Sequence, residues 1–146
     1  MTTVEWNDAE LEHLLHSPDG PVGRDLERRA VAVEAAGKRL LSQHGTGRIY
    51  RKTRPRRIHQ ASAPGEPPAP DTGQLRATLA HKVSADDDGT LVADIGYGLD
   101  ADQRVDDEHG TSIAKVAEYL EGGTRHIAPR PFLRPALLAA DGEHEA

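Results

Sequence analysis

The chain contains no cysteine. That excludes disulfides and any thiolate metal site. Aromatic residues are nearly as scarce: Trp6, Tyr50, Tyr97, Tyr119 and Phe132 are the only five in 146 residues. Apolar residues amount to 36%, lean for one self-sufficient core of this length, so part of the chain is expected to lie outside the core or to be completed by a neighbouring subunit. No apolar run approaches the roughly 18 residues of a membrane span. The opening residues Met1 to Trp6 lack the basic-then-apolar pattern of a secretory signal. The expectation is a soluble protein made in a cytoplasm.

Catalytic signatures are also missing. The sequence holds no Gly-rich phosphate loop, nucleophile elbow or zinc-protease helix motif. Asp86-Asp87-Asp88-Gly89 and Asp100-Ala101-Asp102 lack the spaced ligands and closing Glu of an EF-hand. His13 and His16 offer two ligands at most and read as surface histidines. These observations predict a binding protein with no cofactor and no metal, not an enzyme.

What the chain does have is polarised charge. The net charge is −6, yet residues 48–57 carry Arg48, Arg51, Lys52, Arg54, Arg56 and Arg57 without one acid. Residues 86–108 carry nine acids against one Arg. Unlike patches on one chain suit head-to-tail contact between copies; two solvated loops of opposite sign are the plainer alternative. The basic run also suits phosphates. With Tyr50 as its lone aromatic and no helix-turn-helix or zinc-finger pattern beside it, DNA contact is the lesser reading of the run, and then as a passing surface, not a sequence reader.

Hydrophobic periodicity sets the elements. Asn7 can cap a short helix, with Glu10 in the capping-box position and Leu11, Leu14 and Leu15 on one edge. Ser17-Pro18-Asp19-Gly20 stops it. Pro21 then opens a long helix to about Ser42, whose stripe is Val22, Leu26, Ala30, Val33, Gly37 and Leu40. Gly37 suggests close packing against a sheet. Residues 48–70 are expected to be irregular, with a strand at most beginning at Ile49-Tyr50, because five prolines forbid continuous helix or central strand. Within them, 63–70 should be extended, polyproline-like chain. Asp71 or Thr72 can cap a short helix through Leu79. A hairpin follows, turning at Asp86-Asp87-Asp88-Gly89, with Leu79, Val83 and Ala85 and then Leu91, Ala93 and Ile95 on its apolar face. An acidic loop spans 96–111. Ile113, Val116, Ala117 and Leu120 mark another helix, ended by Gly122-Gly123. Pro135 can start a last short helix with Leu137 and Leu138, and the acidic tail 141–146 should fray. The fold class is α+β: a small antiparallel sheet against one long amphipathic helix plus short helices, with a long extended Pro-rich loop. The expected organisation is an arm over 1–20, one domain over 21–140 and the tail.

The segment Pro129-Arg130-Pro131-Phe132-Leu133-Arg134-Pro135 alternates proline with Arg and large apolar residues. Phe132 fits two roles: a core residue, worth about 1.5–3 kcal/mol on burial, or an interface anchor flanked by Arg130 and Arg134.

Three segments in this order, 62–76 (Ser-Ala-Pro-Gly-Glu-Pro-Pro-Ala-Pro-Asp-Thr-Gly-Gln-Leu-Arg), 117–124 (Ala-Glu-Tyr-Leu-Glu-Gly-Gly-Thr) and 129–137, resemble the head–tail joining proteins of long-tailed bacteriophages, also called tail-completion or minor tail proteins. The resemblance covers roughly 22–140. It implies an α+β subunit forming a ring, most often of six copies, at the virion neck between head connector and tail tube. It implies partners in the head connector or stopper and in the tail terminator or tube, with DNA passing through the lumen, and assembly into virions in the bacterial cytoplasm. A tail terminator ring is the nearest alternative, and a small DNA-binding module the alternative of another class. The family offers no catalytic residues to carry over. The inferred subunit and partner contacts are Arg51, Arg54, Arg56, Arg57, Glu66, Arg76, Glu121, Arg130, Phe132 and Arg134. Gly122 departs from the pattern, since many members have a large residue there, and the departure implies a looser corner or contact shifted to Phe132.

Overall fold

A computed structural model of the chain describes residues 3–5, 7–100, 105–107 and 109–144. Trp6, Asp102 and Glu108 lie outside the described residues, so parts of the expected N-terminal arm and acidic loop go undescribed. The described elements are α1 (Asp8–His16), α2 (Pro21–Leu40), β1 (Ile49–Thr53), β2 (Arg56–Gln60), α3 (Gln74–Thr78), β3 (Ala80–Ala85), β4 (Leu91–Gly96), α4 (Ile113–Gly122) and α5 (Leu133–His144). The class is α+β, with two antiparallel hairpins, β1–β2 and β3–β4, in place of one sheet.

α2 is the backbone of the fold. Ala30, Val33 and Gly37 of the expected stripe are buried, joined by Gly23 and Ala36. Val22 is exposed; the buried position at that end falls one residue later, on Gly23, where a Cβ would lie 2.1 Å from the Pro18 carbonyl oxygen. α5 packs on one side of α2 through Ala136 and Ala140 against Val33 and Ala36. The β3–β4 hairpin packs on α2 as well. At Gly37 an added Cβ would stand 2.8 Å from Leu79 Cδ2, so the glycine admits both the start of β3 and α5. A second cluster joins Leu41, Leu79, Ala117 and Phe132, ringed by Leu75, Tyr97, Leu120 and Leu133. Leu40 and Ile95 touch both clusters and make them continuous.

The β3–β4 register pairs Val83 with Ala93 and Ala85 with Leu91, as the alternation requires. Asp86 and Gly89 close its turn, with Gly89 at φ +83°. α1 is capped by Asn7, whose side chain accepts the Glu10 N–H. It packs on α2, and the His16 ring nitrogen donates to the Gly89 carbonyl at 2.8 Å.

Three expectations need correction. Residues 49–60 are a regular hairpin, not an irregular loop; Pro55 sits in its two-residue turn, after a cis Arg54–Pro55 peptide, where no ladder hydrogen bond is lost. α3 is capped at Gly73, although the Thr72 hydroxyl still accepts the Gln74 N–H. α5 begins two residues before Pro135 and continues into the acidic segment to His144.

Candidate functional site

The three segments that carry the sequence pattern meet in one hydrogen-bonded clasp. Gly123, at φ +73°, ends α4 and turns the chain back. Arg130 N–H then donates to the Leu120 carbonyl at 2.6 Å, joining the second segment to the third. Gly65 N–H donates to the Pro129 carbonyl at 3.1 Å, and the Arg130 guanidinium donates twice to the Ser62 carbonyl at 3.2 and 3.3 Å, joining the first to the third.

The start of α5 completes the clasp. The Glu121 carboxylate accepts the backbone N–H groups of Phe132, Leu133 and Arg134 at 2.8, 3.0 and 3.0 Å. A helix leaves its first N–H groups without internal partners. Here one carboxylate takes three, and the next residue, Pro135, has none to offer. The negative group also faces the positive end of the helix dipole.

Phe132 itself is fully buried. Its ring meets the Tyr97 ring edge-on at 6.3 Å, and the Tyr97 hydroxyl donates to the Leu75 carbonyl at 2.9 Å. Burial, and then the charge of Glu121, push the Tyr97 phenol above its ordinary range. The anchor role expected for Phe132 is therefore corrected: it holds the chain's own core and has no surface to offer a partner. A side chain at Gly122 would meet nothing within 4 Å, so the glycine leaves open space beside the clasp.

Glu66 and the Pro-rich segment are held in the same way. The Glu66 carboxylate accepts the Thr46 hydroxyl, the Ala63 N–H at 2.8 Å and the Thr46 N–H at 3.1 Å. The Thr46 hydroxyl, then these two N–H groups, hold its carboxyl below the usual range. Gly45 and Gly47 let the strands of chain cross: a Cβ at Gly45 would lie 2.3 Å from the Ala61 carbonyl oxygen. The expectation of extended chain over 63–70 is corrected at its start: Glu66 N–H donates to the Ala63 carbonyl at 3.1 Å and Gly65 lies at φ +84°, so 63–66 close a turn that Glu66 pins to Thr46.

The basic hairpin has two unlike faces. Lys52, Arg57 and His59 share the inner face and surround Asp71: Lys52 Nζ at 2.7 Å, Arg57 Nε at 2.9 Å and His59 Nδ1 at 3.9 Å. Partial burial would raise the Asp71 carboxyl, but the Lys52 hydrogen bond and the charges of His59, Lys52 and Arg57 hold it low. Arg57, expected at a partner contact, ties the hairpin to the body through Asp71. The outer face carries Ile49, Arg51, Thr53, Arg56, Ile58 and Gln60, all exposed, with Arg54 at the tip. Ile58 is 72% and Ile49 58% exposed. Arg76 and the Arg134 side chain are also at the surface. A groove of about 740 Å³ runs between the inner hairpin face, the Pro-rich segment and α4, lined among others by Lys52, Pro68, Leu120 and Arg130.

One group escaped the sequence reading. His81 lies between two helix positions a double turn apart: Nε2 meets Glu27 Oε1 at 2.6 Å and Nδ1 meets Glu34 Oε2. Glu34 also binds Lys38 one turn on. The heptad spacing of Glu27 and Glu34 was the visible signal; that His81 would face them needed the strand register. Among the described residues, no group of three or more His, Asp or Glu side chains is arranged to hold a metal ion. No helix among them is long and apolar enough to cross a membrane.

No family model, curated protein or solved structure matches the chain. The functional reading therefore rests on this geometry and on the sequence pattern it gathers together.

Proposed function

We propose that the chain is a virion structural protein of a long-tailed bacteriophage, forming a ring at the neck that joins the DNA-filled head to the tail. One observation carries the reading most. The three ordered segments that resemble head–tail joining proteins are not scattered over the fold; they bond to one another through Ser62, Gly65, Leu120, Glu121, Pro129 and Arg130. A shared pattern whose parts build one clasp is what a common architecture requires. The clasp is a rigid frame for binding surfaces, and the role is assembly, not chemistry. The partners are further copies of the chain, six in the expected ring, the head connector on one side and the tail terminator or tube on the other.

The outer hairpin face supports protein contact over DNA reading, because two exposed isoleucines stand among its arginines. Deletion of the chain from its phage tests the proposal. DNA-filled heads and separate tails of normal length are expected. Overlong tails would assign it to the tail terminator instead, and normal joined virions would overturn both.

A further inference from the structure

The charge polarity of the sequence becomes a spatial polarity along α2. The helix has 20 residues, about 30 Å at ~1.5 Å per residue. The basic hairpin leaves from its C-terminal end, after Leu41. The acidic turn lies at the other end. The chain enters β3 just after Leu79, which lies beside Gly37, passes Glu34 and Glu27 with His81, and reaches a turn whose Gly89 carbonyl is bonded by His16 of α1.

Both ends carry apolar residues rimmed by charge. At the hairpin, Ile49 and Ile58 stand with Arg51, Arg54 and Arg56. At the α1 end, Leu11, Leu14 and Leu15 are 40–46% exposed and are flanked along the helix by the exposed Glu10 and Glu12, while the turn carrying the exposed Asp87 is held to the end of α1 by the His16–Gly89 bond. Leu11, Leu14 and Leu15 recur at three and four residues, so they form one edge of α1. The two surfaces match in apolar content and oppose in sign, and each copy carries both. We infer that the outer face of the β1–β2 hairpin of one copy seats on the exposed leucine edge of α1 of the next. Such a contact is heterologous: it closes into a ring or continues as a filament. It deepens the neck-ring reading by naming the two surfaces, and it rests on that reading only for closure of the ring.

The lack of native cysteine makes a direct test available. Full-length Ile58→Cys and Leu14→Cys variants, one with a size tag, are mixed under mild oxidation. Both sites are exposed, and circular dichroism checks each fold. The inference expects the mixed species, one copy of each variant joined by a disulfide, to dominate at more than about tenfold over either self-linked species, since a disulfide needs Cα atoms within about 7 Å. Dominant self-linked Ile58→Cys, or no linkage at concentrations where the chain self-associates, would overturn it. A charge test complements the first. Arg51→Glu/Arg54→Glu/Arg56→Glu should weaken association at least about tenfold, and adding Glu10→Lys/Glu12→Lys/Asp87→Lys to the same chain should restore it. A chain that stays monomeric in all forms would also overturn it. Heads and tails that still fail to join without such a chain would leave the neck reading standing, so the two failures are distinguishable.

Discussion

The Glu121 carboxylate accepts the Phe132 backbone N–H at 2.8 Å, and this bond joins the end of α4 to the start of α5. With the bonds to Leu133 and Arg134, one side chain satisfies every N–H that the first turn of α5 leaves open. Removing it strands three part-buried or exposed donors at once. Glu121→Ala should destabilise the chain by about 2–4 kcal/mol, since a lost cap costs about 1 kcal/mol and a hydrogen bond to a charged group about 1.5–3. Glu121→Gln, which keeps one acceptor, should lose less. Urea unfolding of the three chains checks the order.

Phe132 stands behind that cap with no exposed area. Phe132→Ala should cost about 3–5 kcal/mol, the usual range for emptying a buried aromatic site. Tyr97→Phe should cost only about 1 kcal/mol, for the hydroxyl bond to Leu75. If Phe132 were a partner anchor and not a core residue, its truncation would leave the melting temperature of the isolated chain unchanged.

Much of this was written plainly in the sequence, and the exceptions have physical reasons. α2 and the β3–β4 hairpin are dictated by period: Ala30, Val33 and Gly37 repeat along one helix face, and Val83 and Ala85 alternate toward a turn built from Asp and Gly. The β1–β2 hairpin was hidden because basic residues fall on both of its faces, so no apolar–polar alternation shows, and because Pro55 reads as a breaker until it is known to sit at the turn. Glu121 was visible as a motif residue, but its partners lie 11 to 13 positions away across a reversal that Gly123 creates. Phe132 fitted a core role first and an interface anchor second, and the packing of Leu79, Ala117 and Tyr97 around it decides for the core.

The His81 bridge should make stability depend on pH in a defined way. Hydrogen bonds to Glu34 and then Glu27 raise the His81 imidazole above its ordinary 6.5. A raised folded-state value means the contribution is complete below 6.5 and is lost as pH rises through the folded value. Burial opposes ionisation of Glu34, but its hydrogen bonds to Lys38 and His81 outweigh it and hold the carboxyl below 4.5. That contribution is complete above 4.5 and fades as pH falls through the folded value. Together they predict greatest benefit between these limits. Replacing His81 by Gln should flatten the decline above pH 6.5, as measured by urea midpoints across the range. An unchanged profile would mean the bridge carries no net linkage.

The two hairpin faces should respond differently to substitution. Arg51→Glu/Arg54→Glu/Arg56→Glu should leave the stability of the monomer within about 0.5 kcal/mol, as exposed substitutions do. Asp71→Ala should loosen the hairpin, because it strips Lys52, Arg57 and His59 of the group they surround. Hydrogen exchange at residues 49–60 should rise in the second variant and not in the first.

The proposed neck role is tested most directly by electron microscopy of a lysate produced with the gene for the chain deleted from its source genome. The account predicts DNA-filled heads and separate tails of normal length, restored to joined virions when the intact chain is supplied. Joined, infectious virions in its absence would contradict it.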